Sequence, residues 1–265
     1  MTAIAFDTET TGLSKDIDRV IEVAVVWWNE STKHIHHRFN PGVAIPAEAT
    51  RVHGITDADV KDCPPFREHA IELRDAIESA EAAIGYNPWF DQGMLDAEFA
   101  RCGIQVRWPT LVCPKRVWDV YEPSERNLTS AYRRFVDRNG FDSAHSALAD
   151  THATIKVLRS QLEYFQLGDM PWEELDPERK LWWGPTHHVL IVDETLMMNF
   201  GKHRGKPVRD VDYGFWQWLI GRDFPKHLLL LAMEATRLID KGNSKEVMDV
   251  KLYAWALEHL REKQS

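Results

Sequence analysis

Ile4-Ala5-Phe6 is an apolar lead-in that runs into the polar stretch Asp7-Thr8-Glu9-Thr10-Thr11-Gly12-Leu13, which predicts a first strand ending in a polar loop. A longer run at 19–28 (Val20-Ile21-Glu22-Val23-Ala24-Val25-Val26-Trp27) predicts a strand buried on much of both faces. Residues 34–40, closed by Pro41-Gly42, predict a third. Three consecutive strands imply an antiparallel meander. A loop carrying Pro46 leads to Val52-His53-Gly54-Ile55-Thr56, where Thr56 can cap a short helix from Asp57. Helical spacing of Ala70, Ile71, Leu73, Ala76 and Ile77 predicts a helix over 66–80, and residues 82–87 predict a strand. A helix is expected over 89–101, a fifth strand over 111–117, and a helix capped by Asn127. The longest helix is expected over 146–165, burying Leu148, Ile155, Leu158, Leu162 and Phe165. A meander followed by alternating helix and strand indicates an α/β protein with a mixed sheet and helices on both sides.

Residues 166–188 break the pattern. Gly168, Pro171, Pro177, Gly184 and Pro185 interleave with Trp172, Trp182 and Trp183, which suggests a linker that packs through its tryptophans. Two short strands (188–193 and 196–200) and three amphipathic helices (213–221, 226–240 and 245–263) then predict a small α+β second domain. The expected division is 1–166, a linker at 167–194, and 195–265.

The formal charge of −9 argues against affinity for nucleic acid over the whole surface, yet it is unevenly placed. Residues 195–265 hold 12 Lys and Arg against 9 Asp and Glu, so a tail of +3 follows a body of −12. Neither a membrane-spanning run nor a signal-like start is evident, and a cytoplasmic protein is expected. Cys63, Cys102 and Cys113 lack metal-site spacing and read as reduced thiols.

Alternation along a strand places Asp7 and Glu9 on one face. Such a pair repels itself unless a cation lies between, so Mg²⁺ or Mn²⁺ is the natural reading. Two further acids stand at element junctions: Asp91, opening the helix after the strand that ends at Asn87, and Asp150, in the first turns of the longest helix, five residues after His145. Singly, each suits the positive end of a helix dipole.

Together these stretches resemble the 3′→5′ exonucleases of the DEDD superfamily, in their histidine-bearing, DnaQ-like branch. Phe6-Asp7-Thr8-Glu9-Thr10-Thr11-Gly12-Leu13 is similar to the first motif, Gly85-Tyr86-Asn87-Pro88-Trp89-Phe90-Asp91 to the second, and His145-Ser146-Ala147-Leu148-Ala149-Asp150 to the third. Val52-His53-Gly54-Ile55-Thr56 and Pro64-Pro65-Phe66 resemble the region between the first two. Tyr86 departs from the pattern, since many members carry His before the Asn.

The resemblance implies a ribonuclease H-like fold in which Asp7, Glu9, Asp91 and Asp150 hold two Mg²⁺ (or Mn²⁺) ions. It implies His145 as general base toward the attacking water, and a nucleoside 5′-monophosphate as product. It also implies that Thr10, Gly12 and Leu13 line the terminal-nucleotide pocket, with His53 and Phe90 nearby. In the tail, Gly201-Lys202-His203-Arg204-Gly205-Lys206 puts cations around two glycines, a composition suited to phosphate, without Walker spacing. With Phe215-Trp216-Gln217-Trp218 downstream, the tail resembles the carboxy-terminal domain of exodeoxyribonuclease X-type members, although Trp216 and Trp218 read as core.

The expected activity is metal-dependent 3′→5′ exodeoxyribonuclease action in DNA repair or turnover. Its partners would be DNA 3′ ends, single-stranded or on frayed duplex, held through Lys202, Arg204 and Lys206 among others, with a polymerase or repair protein left open. Two alternatives stand: an RNA 3′-end exonuclease, and a non-catalytic module that binds nucleic acid or a polymerase.

Overall fold

The computed structural model describes residues 2–121, 127–141, 146–176, 181, 183, 188–222 and 224–261. The chain forms two compact units, Met1–Asp176 and Pro177–Ser265.

In the first unit β1 (Ala3–Thr10), β2 (Val20–Trp27) and β3 (His34–Arg38) form the antiparallel meander; α1 (Ala47–His53), α2 (Asp57–Val60) and α3 (Ala70–Glu78) follow. Then come β4 (Ala82–Ile84), α4 (Pro88–Arg101), β5 (Thr110–Val112), α5 (Pro114–Tyr121), α6 (Leu128–Phe135) and α7 (Ala147–Tyr164). The sheet order is β3-β2-β1-β4-β5, with β4 parallel to both β1 and β5. A sheet buried on both faces requires apolar residues of both parities, and β1 and β2 supply them. Ile4, Phe6, Val23 and Val25 pack with Leu73, Ile77, Met94, Leu95 and Phe99 of α3 and α4. Ala3, Ala5 and Val26 pack with Val117 of α5 and with Ile155 and Leu158 of α7. Small residues on that second face let α7 approach β1 closely. This is a mixed α/β architecture of the ribonuclease H-like kind.

Three elements differ from the sequence expectation. Residues 47–53 form α1 rather than a loop: Pro46 precedes it and Gly54, at φ 75°, closes it, but it buries no side chain and so leaves no apolar periodicity. The strand expected over 111–117 stops at Val112, because Pro114 cannot donate to a ladder and instead opens α5. The helix expected over 66–80 begins at Ala70, preceded by a 3₁₀ turn at Phe66–Glu68. The expected linker divides between the units. Leu167 and Leu175 join the α7 face of the first, and Trp183 is buried in the core of the second, whereas Pro177, Trp182, Gly184 and Pro185 lie outside the described residues.

The second unit pairs β6 (Val189–Val192) with β7 (Thr195–Met198) around Asp193 and Glu194, both at positive φ. Helices α8 (Tyr213–Ile220), α9 (Lys226–Asp240) and α10 (Lys245–Arg261) complete it. Trp183, Trp216, Leu219, Leu231, Leu238 and Leu252 lie in its core.

Candidate active site

Because Ala3 and Ala5 face α7, strand alternation sends Asp7 and Glu9 to that same face, where the first turn of α7 carries Asp150. Carboxylate oxygens of Asp7, Glu9 and Asp150 lie within 4.8 Å of one another. Asp91, at the first turn of α4, is buried and reaches β1 from the other layer. Its Oδ1 accepts from the Thr8 backbone N–H at 3.0 Å and from the Thr8 hydroxyl at 2.6 Å. Gly85 lets the chain fold tightly from β4 into α4, since a Cβ there would stand 2.8 Å from the Pro88 Cβ and 3.3 Å from the Phe6 carbonyl oxygen. Asn87, at φ 69°, turns the chain into α4 with Pro88 at its first position.

Like charges in a half-dry site shift their protonation. Burial pushes the Asp7 carboxyl well above the usual carboxylate range, with Asp91, Glu9, Asp150 and Glu22 adding to it. Burial, then Asp150, Glu22 and Asp91, lift Glu9 to about 8. Burial lifts Asp91 to about 7 against the opposing pull of the Thr8 hydrogen bonds. Raised carboxyls held this close together are what an anionic, cation-binding cluster produces. Hard carboxylate oxygens at such spacing are the donor set of Mg²⁺ or Mn²⁺, and the residues fit divalent ions.

Glu22 is a participant that the motifs miss. It lies opposite Glu9 in the β1–β2 register and is fully buried. One carboxylate oxygen accepts from Arg38 Nε at 2.8 Å and pairs with His36 Nε2 at 3.2 Å; the other accepts from the Ala147 N–H at 2.9 Å. Burial pushes this carboxyl up, but the bonds from His36, Arg38 and Ala147 together bring it down to about 2. Glu22 thereby ties the start of α7, and with it Asp150, to the sheet beside Glu9. A single acid inside the apolar run of β2 was the available signal, since an unpaired buried acid is rare. At the far end of α4, Glu98 takes Arg19 in a two-pronged ion pair (2.7 and 3.1 Å) and the Val20 N–H at 3.2 Å. The helix bearing Asp91 is thus fixed at both ends.

The remaining expected residues have these places. His145 lies outside the described residues. The Thr10 hydroxyl donates to the Gly12 carbonyl at 2.7 Å. Gly12 lies against the Asp18 carboxylate, whose Oδ2 would be 2.5 Å from a Cβ, so a larger residue there would have to displace Asp18 from Thr11 and Ser14. Leu13 is 82% exposed on the loop after β1. His53 Nδ1 accepts from the Ile55 N–H at 3.0 Å, which fixes its ring. Phe90 packs against the α3/α4 core, and Tyr86 packs near Trp118 and Tyr132. Lys202, Arg204 and Lys206 belong to the second unit, where Trp216 is buried as expected and Trp218, expected in the core, is 47% exposed.

Residues 4–158 match the exonuclease family RNase_T. The chain is 31% identical over 173 residues to DNA polymerase III subunit epsilon of Pasteurella multocida, covering 58% of this chain and 65% of that protein. It is 31% identical over 169 residues to the Escherichia coli subunit, covering 58% and 68%. The chain therefore spans about two thirds of the length of these curated relatives. Among solved structures, Escherichia coli exonuclease I in a single-stranded DNA complex superposes with a TM-score of 0.56 at 18% identity, over 63% of this chain and 41% of that one. A structure of exonuclease X with 5′-overhanging duplex DNA aligns at 0.49 and 19% identity, over 66% and 98%.

Proposed function

Since the chain belongs to the RNase_T exonuclease family, we propose that it is a metal-dependent 3′→5′ exodeoxyribonuclease that releases nucleoside 5′-monophosphates, acting in DNA repair or turnover. The observation that carries this reading is the meeting of Asp7, Glu9 and Asp150 within 4.8 Å, with Asp91 brought to the same strand by Thr8. A fold without this activity gains nothing from keeping mutually repelling acids in a half-buried cluster. DNA is favoured as the polymer because the curated relatives are named as DNA polymerase subunits, which also makes a polymerase a candidate partner.

Asp7, Glu9, Asp91 and Asp150 would hold two Mg²⁺ or Mn²⁺ ions, whose charge stabilises the attacking and leaving oxygens of an in-line displacement at phosphorus. The protein's own groups do the rest. Thr8 anchors the Asp91 carboxyl to β1 and opposes the rise that burial imposes on it, and Glu22 fixes the α7 terminus beside Glu9. His145, immediately before the residue that caps α7, takes the proton of the attacking water, a role suited to an imidazole whose ordinary pKa is about 6.5. Water oxygen bonds to phosphorus, the bond from phosphorus to the 3′ oxygen of the preceding nucleotide breaks, and that oxygen leaves with a proton as the new 3′ hydroxyl. Leu13, exposed on the loop after β1, is the residue we assign to packing on the terminal base, with Thr10, Gly12, His53 and Phe90 as further lining.

Matched single-stranded DNA and RNA oligonucleotides with a labelled 3′-terminal nucleotide test this reading. Release of labelled mononucleotide from DNA in Mg²⁺, and none in excess chelator, is the expected result. Faster release from RNA would reassign the polymer, and no release from either would refute the activity.

A further inference from the structure

The second unit contains a pocket of about 450 Å³ whose walls are mostly aromatic: Phe200, Phe215, Trp218 and Phe224, with Lys202 and Asp212 at the rim. The four rings form a closed circuit, with centroid separations of 6.0 Å (Phe200–Phe215), 5.5 Å (Phe215–Trp218), 5.8 Å (Trp218–Phe224) and 5.6 Å (Phe224–Phe200). Two residues along a helix is about 200° of rotation, so α8 turns Trp216 into the core and Trp218 outward. An outward tryptophan supported by three phenylalanines offers an apolar, π-rich surface that the fold itself does not use.

The charge around this pocket decides what fits. Gly201 and Gly205, at φ 59° and 79°, fold residues 201–206 into a tight turn that leaves Lys202, Arg204 and Lys206 exposed. The Arg222 guanidinium stands 5.8 Å from the Trp218 ring. Asp212 is already engaged: one oxygen caps α8 by accepting the Phe215 N–H at 2.8 Å, and the other pairs with His203 at 3.1 Å and Lys202 at 3.5 Å. Among the described residues no acid is paired with Arg204 or Lys206. An aromatic box can also take a quaternary ammonium, but here Lys202 lines it, Arg222 stands beside Trp218, and its one acid is spent. A flat, neutral ring flanked by phosphates satisfies both the rings and the cations.

We propose that this pocket receives one unstacked base of single-stranded nucleic acid, sandwiched on Trp218, with the neighbouring phosphates on Lys202, Arg204 and Lys206. The inference rests on the exonuclease reading for the class of polymer and adds a second binding site to it. Stacking on an aromatic side chain is tolerant of base identity, and the site therefore grips strands of any sequence.

The test uses the full-length protein in excess chelator, so that nothing is cut. Affinity is measured by fluorescence anisotropy for a dT16 oligonucleotide and for a 16-mer of abasic sugar-phosphate. Trp218→Ala should weaken dT16 binding by about 5-fold to 150-fold, leave the abasic strand unaffected, and be largely rescued by Trp218→Tyr. Circular dichroism confirms folding, which the exposure of Trp218 favours. Unchanged dT16 affinity in Trp218→Ala, or an equal loss on the abasic strand, would overturn the proposal. Hydrolysis of dT16 by the wild type in Mg²⁺ is scored separately. Cutting without a Trp218 effect rejects only the pocket, and a base-dependent Trp218 effect without cutting rejects only the exonuclease reading.

Discussion

Asp7, Glu9 and Asp91 work against the folding of the metal-free protein at pH values where carboxylates in the unfolded chain are ionised. Glu9 at about 8 and Asp91 at about 7 lie above the unfolded carboxylate values of roughly 4. A group with a raised folded pKa stabilises the fold while protonated. That contribution is complete below about pH 4 and disappears as pH rises through 7 to 8. The metal-free protein should therefore melt at a lower temperature at pH 9 than at pH 6. Mg²⁺ should raise the melting temperature more at pH 9, where it has fewer protons to displace. Asp7→Asn should melt higher than wild type without metal at pH 9, because it removes the cost of protonating the carboxyl or burying it as an anion, while losing activity; a lower metal-free melting temperature would contradict the repulsion that the cluster implies. His145→Ala should bind metal as wild type does and lose about 10²–10⁴-fold in the cleavage step, read in single turnovers. An unchanged cleavage rate would remove His145 as the base. Asp7 and Glu9 were legible as a pair from strand alternation, whereas Asp91 and Asp150, each singly explained by a helix dipole, were singled out by the resemblance of their motifs to the exonucleases. Thr8 was not, since a hydroxyl that steadies Asp91 is a long-range fact; Glu22 stood out as a lone acid in an apolar run, but the distant helix start that it holds is encoded by no local pattern.

The elements were legible where they bury an apolar face. The two strands at the sheet centre and the long α7 follow from runs and periodicity, whereas α1 fully buries no side chain, packs only Ala49 against a core cluster, and leaves its flanking Pro46 and Gly54 as signals. At 111–117 an apolar run concealed a change of element that Pro114 alone marks. The end of the first unit was also obscured. Residues 167–176 look like linker because of their glycine and proline, yet Leu167 and Leu175 pack on the α7 face, and Asp176 forms a buried ion pair with Arg116 of α5 at 3.1 and 3.2 Å. Removing one partner of a buried pair leaves the other's charge less compensated in a dry site. Asp176→Ala should cost about 3–5 kcal/mol in chemical denaturation of the first unit. A loss below about 1 kcal/mol would show that solvent reaches Arg116 readily.

At the scale of the whole molecule, the uneven charge seen in the sequence corresponds to two separately packed units. The acidic one carries the carboxylate cluster, and the basic one carries the cationic turn at 201–206. Each phosphate that a cation neutralises adds roughly 0.7–0.9 to the steepness of log K against log salt. Neutralising Lys202, Arg204 and Lys206 together should thus flatten the slope for single-stranded DNA by about 2. An unchanged slope in the folded variant would make the turn a solvated one.

The central claim is that the acids on β1, α4 and α7 form a metal-dependent site that shortens DNA from its 3′ end. It is tested most directly by following a 5′-labelled single-stranded DNA on a sequencing gel after addition of Mg²⁺. The predicted result is a ladder that shortens one nucleotide at a time, with nucleoside 5′-monophosphate as the released product, and that is absent with chelator or with Asp7→Asn. Immediate release of the labelled 5′ nucleotide, internal cuts without a ladder, or undiminished cutting by Asp7→Asn would contradict it.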